Sequence, residues 1–125
     1  MSKQISHWDK MSDADYSQMH RTISGAYAID IDQVEWRADR GIVAIICTTG
    51  NLNDKYHILN AKPRIWERTK FERMIATEIA SKLNVPAFYV IHTKDLSHFH
   101  VHNLANISEF TELSQESYKI WVSLL

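Results

Sequence analysis

The sequence predicts a single α/β domain in which a mixed sheet is flanked by helices, in the order α-β-β-α-β-β-α. Two strand-like segments, residues 27–37 and 42–48, are joined by a polar turn that contains Gly41. Residues 63–83 have the apolar spacing of a long helix, and residues 87–92 form a short apolar strand after it. The 125 residues are enough for one domain with its own core.

The other elements follow from apolar periodicity and from residues that begin or end helices. Residues 12–24 are predicted to form a first helix, and residues 50–61 a polar loop. Residues 98–102 are expected to form a further strand and residues 108–125 a closing helix. Residues 42–46 are apolar at every position, which predicts an interior strand covered on both faces.

The long helix has recognisable ends. Pro63 suits the first turn of a helix, Asn84 suits a left-handed cap, and Pro86 prevents continuation. Its core face is predicted to be an i, i+4 stripe of Phe71, Ile75, Ile79 and Leu83. The crossover through this helix should join two parallel strands with right-handed connectivity.

Composition excludes several classes of protein. The formal net charge is −1, so the chain as a whole is not a polycation built for nucleic acid. A single cysteine excludes an internal disulfide framework. We expect a cytoplasmic protein with no membrane partner, because no apolar run approaches the length of a membrane span and the first residues are too polar for a secretory signal.

Basic residues are concentrated in one segment. Five of them lie between residues 62 and 73, interrupted by two glutamates: Lys62, Arg64, Arg68, Lys70 and Arg73. They form either a strip that faces phosphates or a solvated helix face, and the second interpretation is the commoner one. Trp66 in the same segment is more commonly a packing residue than a platform for base stacking.

The first hairpin brings acidic and sulfur-bearing positions together. If it closes symmetrically about residues 38–41, opposed residue numbers sum to 79, so Asp32 faces Cys47 and Asp30 faces Thr49. All four side chains would then project from one face of the sheet. Directly opposed Cβ atoms lie roughly 4.5–5.5 Å apart, which is close enough for two strands to share one metal ion.

Cys47 is open to three interpretations. It is a small buried hydrophobe, a replacement for a catalytic carboxylate, or a reactive thiolate. The last role requires a histidine partner, and His57 and His92 are the nearest candidates in the sequence.

Three histidines alternate along one predicted strand and share a face that could hold a transition metal: His98, His100 and His102. Because Phe99 and Val101 between them are apolar and should face the core, the histidines are predicted to face solvent instead.

The first hairpin and the strands that follow it resemble the PD-(D/E)xK nuclease superfamily, which has the restriction-endonuclease-like fold. Small phage and mobile-element proteins of this superfamily open with Asp-Ile-Asp, followed by a Gly turn and an apolar strand that ends in Glu-x-Lys. Asp30-Ile31-Asp32 and residues 41–46 match this pattern, as do residues 84–90 and the Phe99-x-Val101 strand. The resemblance covers about residues 26–104.

The resemblance implies hydrolysis of DNA phosphodiester bonds with Mg²⁺ or Mn²⁺ bound by Asp32, together with Asp30. Cys47 stands at the position of the motif Glu and Thr49 at that of the motif Lys. A thiol is a poor ligand for a hard cation, and threonine supplies no positive charge to the attacking water. The expected activity is therefore weak or absent.

The resemblance also implies where the missing functions are supplied. In this superfamily the lysine often lies on the following helix, which makes Lys62 and Lys70 the candidates here. DNA phosphates are expected to contact the five basic residues of residues 62–73, and a homodimer is common for this fold. The alternative is a non-catalytic module that binds nucleic acid or another protein.

Overall fold

The computed structural model describes residues 18, 19, 24 and 29–125. The helix predicted over residues 12–24 lies almost wholly outside the described residues and stays a prediction.

A five-stranded mixed sheet forms the centre of the domain, and its strands lie side by side in chain order. Strands β2 and β3 are parallel, whereas the other neighbouring pairs are antiparallel. This confirms the predicted mixed sheet and the parallel crossover between β2 and β3. The strands are β1 (Gln33–Arg37), β2 (Gly41–Leu52), β3 (Ala87–Thr93), β4 (Phe99–Asn103) and β5 (Asn106–Leu113).

Three helices between residues 55 and 123 accompany the sheet: α1 (Lys55–Arg68), α2 (Lys70–Leu83) and α3 (Gln115–Ser123). The predicted loop over residues 50–61 is wrong, because β2 extends to Leu52 and α1 already begins at Lys55. Asp54 is the N-cap of α1, and its carboxylate accepts a hydrogen bond from His57 N at 2.8 Å. The polar residues that suggested a loop are therefore divided between the end of β2, the N-cap and α1 itself.

The predicted single long helix is divided at Thr69, which ends α1 and begins α2. Thr69 Oγ1 donates a hydrogen bond to Ile65 O at 2.7 Å and accepts one from Arg73 Nε at 3.1 Å. Arg73 also donates to Trp66 O. These bonds tie the first turn of α2 to the last turn of α1, and we call this junction the elbow. The predicted end is confirmed, since Asn84 adopts the left-handed conformation with φ of 58°.

The first half of the predicted closing helix is wrong. Residues 106–113 form β5, which pairs with β4, and only the residues after Ser114 are helical. Phe110 and Leu113 have helix-like spacing, but the tight turn after Asn103 returns the chain along β4 instead. Ser114 caps α3 by accepting a hydrogen bond from Ser117 N at 3.1 Å.

Apolar residues are buried on both faces of the sheet, as predicted for β2. Ile45, Cys47 and Tyr89 pack beneath α1 and α2, and Ile46 and Val90 face the side of α3. This arrangement confirms that β2 is an interior strand with both faces covered.

The predicted core stripe of α2 is wrong at its two ends, whereas Ile79 packs against the core as predicted. Phe71 is 66% exposed and Leu83 is 45% exposed, whereas the buried positions of this helix are Ala76 and Ala80. Small residues on this face allow the helix to lie close to β2 and β3, and Phe71 and Leu83 at the two ends of the stripe face outward.

Within the described residues, every helix is too short or too polar to cross a lipid bilayer.

Candidate functional site

Next to Asp32, the register of the first hairpin agrees with the prediction. Val34 pairs with Ile45 and Glu35 with Ala44, so opposed numbers sum to 79, until a bulge after Glu35 shifts the pairing by one residue. Asp32 lies just before β1, so the predicted strand over residues 27–37 begins too early. Its carboxylate nevertheless reaches β2, where Oδ2 accepts a hydrogen bond from Thr48 N at 2.7 Å.

Asp32 lies at the edge of a cleft of about 530 Å³. The cleft is bounded by the segment before β1, the end of β2, the middle of β3 and the elbow between α1 and α2. This volume is within the range of small-molecule and nucleotide sites. Its lining residues are Ile29, Asp30, Asp32, Thr48, Thr49, Arg68, Thr69, Phe71, Glu72 and Tyr89.

Glu72, in the first turn of α2, adds a carboxylate to the cleft that the sequence analysis did not identify. Its carboxylate lies within electrostatic range of both the Cys47 thiol and Asp32. Burial raises the pKa of Glu72, and the negative charge of Asp32 raises it further. Two acidic side chains therefore approach each other at the position where the motif carboxylate was expected.

Cys47 is completely buried. Burial raises the pKa of its thiol to about 12, and the neighbouring carboxylates of Glu72 and Asp32 contribute to the same shift. The thiol is thus protonated at neutral pH, which argues against the thiolate interpretation. The proposed partners bond elsewhere: His57 Nδ1 accepts from Asn53 N, and His92 Nδ1 bonds to Thr93 O.

Thr49 lies in the cleft, where its hydroxyl and the Tyr89 hydroxyl are 2.6 Å apart. Burial raises the pKa of Tyr89, so this pair is neutral at physiological pH. Among the described lining residues, Arg68 is the one cationic side chain.

The predicted basic strip is divided by the elbow. Arg68 lines the cleft, and together with Arg64 it also lines an adjoining groove of about 370 Å³. Arg73 is bound to the backbone and hydroxyl of the elbow, whereas Lys70 is exposed and lines neither cavity. Arg64 and Arg68 are therefore the members of the strip that line these cavities.

Lys62 is not brought to the cleft. It is 9% exposed, and its Nζ lies 3.2 Å from the centroid of the Phe110 ring on β5. Burial lowers the pKa of Lys62 to about 8. The expected phosphate contact of Lys62 is wrong for this structure, because α1 turns this side chain inward toward β4 and β5.

The predicted solvent exposure of the histidines is wrong for two of the three. His100 and His102 are 0% and 1% exposed, beneath α1 and Phe110. Phe99 and Val101 are also buried, on the opposite face. Both faces of β4 are covered because β5 and α1 close over the histidine side.

These buried side chains form a second polar group, which we call the basic cluster: Lys62, His100 and His102. His102 Nδ1 donates to Ile107 O at 2.8 Å, and His100 Nε2 lies 3.1 Å from Glu112 Oε2. Lys62 Nζ and His102 Nε2 have no hydrogen-bond partner within the described part of the chain. Burial lowers the pKa of His102 to about 4 and also lowers the pKa of His100, and the charge of Lys62 adds to both shifts.

Trp66 packs on the basic cluster and on β3, as the packing interpretation predicted. Its ring meets Tyr89 and His102 edge-on, with centroids 5.4 and 4.7 Å away. Across residues 29–125, no three His, Cys, Asp or Glu side chains are grouped so that they alone could hold a metal ion.

Glu72 could have been found from the sequence by a different choice of helical stripe. Ala76 and Ala80 follow it at intervals of four residues, so the three positions share one face. Choosing the large apolar residues as the core face concealed this small-residue face, and with it the inward-facing carboxylate.

Comparisons of the chain with protein-family models, with curated proteins and with solved structures found no match. The nuclease resemblance therefore rests on the motifs quoted above and stays a prediction.

Proposed function

We propose that this protein binds DNA in a metal-dependent manner and hydrolyses its phosphodiester bonds weakly, through the cleft at Asp32 and Glu72. One observation carries the proposal: the side chains of Glu72 and Asp32 line the same cleft, close to Cys47. A second carboxylate thus stands at the position where the motif Glu would have projected, although it is supplied by α2 rather than by β2.

The donor set suits a hard divalent cation. Mg²⁺ is commonly held by one or two carboxylates, and water and substrate phosphate complete its octahedral shell. Asp32 and Glu72 provide those carboxylates, Asp30 lines the same cleft, and the Thr48 N–H fixes the orientation of Asp32. Two protein carboxylates alone imply weak affinity for the free ion and stronger affinity when a phosphate is present.

Arg68 and Arg64 supply the positive charge for the substrate. Arg68 lies in the cleft itself, and Arg64 extends the basic surface along the adjoining groove. A strand whose reacting phosphate lies between Asp32 and Arg68 would place a neighbouring phosphate near Arg64. Neutral Tyr89 and Thr49 complete the wall with hydroxyl groups.

When bound, a divalent cation supplies Lewis-acid polarisation of the phosphate and lowers the pKa of a bound water. The chain contributes carboxylates to hold the cation and Arg68 to offset phosphate charge. Thr49 cannot supply the positive charge that a lysine would place beside the attacking water. Slow hydrolysis follows from this difference.

Mn²⁺ binding, measured by electron paramagnetic resonance and calorimetry with and without an oligonucleotide, tests the proposal. Asp32→Asn and Glu72→Gln should each weaken Mn²⁺ binding at least tenfold, because each removes one of two carboxylate ligands. Glu78→Gln is the matched control, since Glu78 lies on the same helix but pairs with Lys82 at the surface. Wild-type protein that binds no Mn²⁺ in either condition would contradict the proposal.

Plasmid nicking in the presence of Mn²⁺ distinguishes weak catalysis from the non-catalytic alternative. The neutral Thr49–Tyr89 pair favours that alternative, because it occupies the position where a charged lysine was expected. Thr49→Lys should increase nicking if the cleft hydrolyses phosphodiesters. Salt-sensitive DNA binding without nicking, in both wild type and Thr49→Lys, would identify a binding module.

A further inference from the structure

Phe71 and Glu72 lie in the first turn of α2, and their exposure is the opposite of what their polarity predicts. Phe71 is 66% exposed, whereas Glu72 is partly buried and lies within electrostatic range of buried Cys47. Burying a phenyl ring is among the larger favourable contributions to folding, and desolvating a carboxylate is unfavourable. The folding of this turn alone would favour the opposite arrangement, and such local inconsistencies concentrate at functional sites.

The exposed ring has a specific setting. Phe71 lines the cleft together with Asp32, Arg68 and Glu72, so one wall carries a flat apolar surface beside cationic and acidic groups. A ligand that suits this wall has an anionic part for Arg68 and a flat ring for Phe71. A nucleotide unit of a DNA strand has both.

From this juxtaposition we propose that the cleft selects DNA with an unpaired base, which stacks on Phe71 while its phosphate lies toward Arg68. In a duplex the faces of the bases are already covered by their neighbours, so a protein ring reaches a base face only where the base is unpaired or extruded. The substrate class is therefore single-stranded or locally unpaired DNA. This inference deepens the proposed function and rests on the same cleft.

Fluorescence of 2-aminopurine, placed in a short single-stranded oligonucleotide or in the matching duplex, tests the stacking. The single strand should bind more tightly and its fluorescence should be quenched. Phe71→Leu should weaken single-strand binding about tenfold and remove the quenching, because leucine keeps apolar bulk but loses the aromatic face. Phe71→Trp should retain both.

Tyr56 provides the matched control, since it is exposed to a similar extent (64%) but does not line the cleft. Tyr56→Leu should leave binding and quenching unchanged. Unfolding temperatures of all variants verify folding, which substitution of an exposed ring should preserve.

The binding measurements are made both in EDTA and with Mn²⁺, so that the stacking proposal and the proposed metal-dependent function can each be contradicted independently. Quenching that persists in EDTA and in Asp32→Asn supports stacking even if hydrolysis is never observed. Equal loss of duplex and single-strand binding in Phe71→Leu, or no loss of either, overturns the inference even if Mn²⁺ binds at Asp32 and Glu72. Failure of the wild type to bind the single strand overturns it as well.

Discussion

Two polar groups lie on the same face of the sheet, the cleft at the elbow and the basic cluster beneath α1, and they differ in charge and in access. The cleft contains Asp32 and Glu72 and has about 530 Å³ of open space. The basic cluster of Lys62, His100 and His102 is closed over by Phe110 and α1. Burial drives both groups toward neutrality, raising the pKa of Glu72 and lowering that of His102. The cleft alone has room for a ligand that would restore the charge.

The two groups therefore respond to pH in opposite directions. The raised pKa of Glu72 means that its stabilising contribution is complete below its ordinary pKa and is lost as pH rises through the folded-state pKa. The lowered pKa of His102 means that its contribution is complete above about 6.5 and is lost as pH falls toward about 4.

Acid titration should give the largest effect. Between pH 7 and pH 4 the free energy of unfolding should fall by on the order of 3 kcal/mol through protonation of His102 in the unfolded chain. His102→Phe should remove most of this loss, because its ring fills the site without titrating. Urea unfolding at a series of pH values measures this loss of unfolding free energy. His98→Asn, at a partly buried histidine, is the control. Parallel pH profiles of wild type and His102→Phe would contradict the prediction.

Lys62→Met should stabilise the protein by about 1–2 kcal/mol at pH 7. The substitution shortens the unbranched side chain by one atom and removes a buried ammonium that has no hydrogen-bond partner within the described residues, although the contact with the Phe110 ring is also lost. Thermal and chemical unfolding measure the change. Lys62→Ala should destabilise instead, because it leaves a cavity. A destabilised Lys62→Met would show that the ammonium supports the cluster.

Glu72→Gln should stabilise the protein by about 1 kcal/mol at pH 8, because burial and the charge of Asp32 disfavour the ionised carboxylate. The gain should disappear at low pH, where Glu72 itself is protonated. Unfolding at the two pH values tests this prediction, and Glu78→Gln serves as the surface control. A gain that is equal at both pH values would mean that the Glu72 charge is not its cause.

The smallest effect is expected from the two arginines of the cleft and groove. Arg64→Ala and Arg68→Ala should each lower the slope of log affinity against log salt by about one, without changing stability. Arg73→Ala should lower stability and leave the salt slope unchanged, because Arg73 binds the elbow rather than the cleft. DNA binding at several salt concentrations, together with unfolding, separates the two classes. An unchanged slope in Arg64→Ala and Arg68→Ala would exclude them from the phosphate path.

The parts of the fold that depend on local pattern could be predicted from the sequence. Alternation and a turn at Gly41, which has φ of 78°, identified the first hairpin, and continuous apolar character identified β2 as an interior strand. The same register predicted that Asp32 lies opposite Cys47; in the structure Asp32 precedes β1 and its carboxylate bonds to the adjacent Thr48 N.

The rest depended on tertiary packing. The histidine face of β4 was expected to be exposed because Phe99 and Val101 were assigned to the core, but Phe110 of β5 and helix α1 cover the histidines as well. Glu72 was missed because the core face of α2 is set by close approach to the sheet, which favours alanine over larger residues. In both cases a neighbouring element, rather than the segment itself, decided which side chains are buried.

The elbow at Thr69 makes the two polar groups mechanically interdependent. Arg73 braces the junction, the arm before it carries Lys62 inward, and the arm after it carries Glu72 to the cleft. A substitution that widens the angle between α1 and α2, and so enlarges the cleft, would also move α1 away from His100 and His102. The shape of the cleft and the acid stability of the domain therefore cannot be changed independently by substitutions at the elbow.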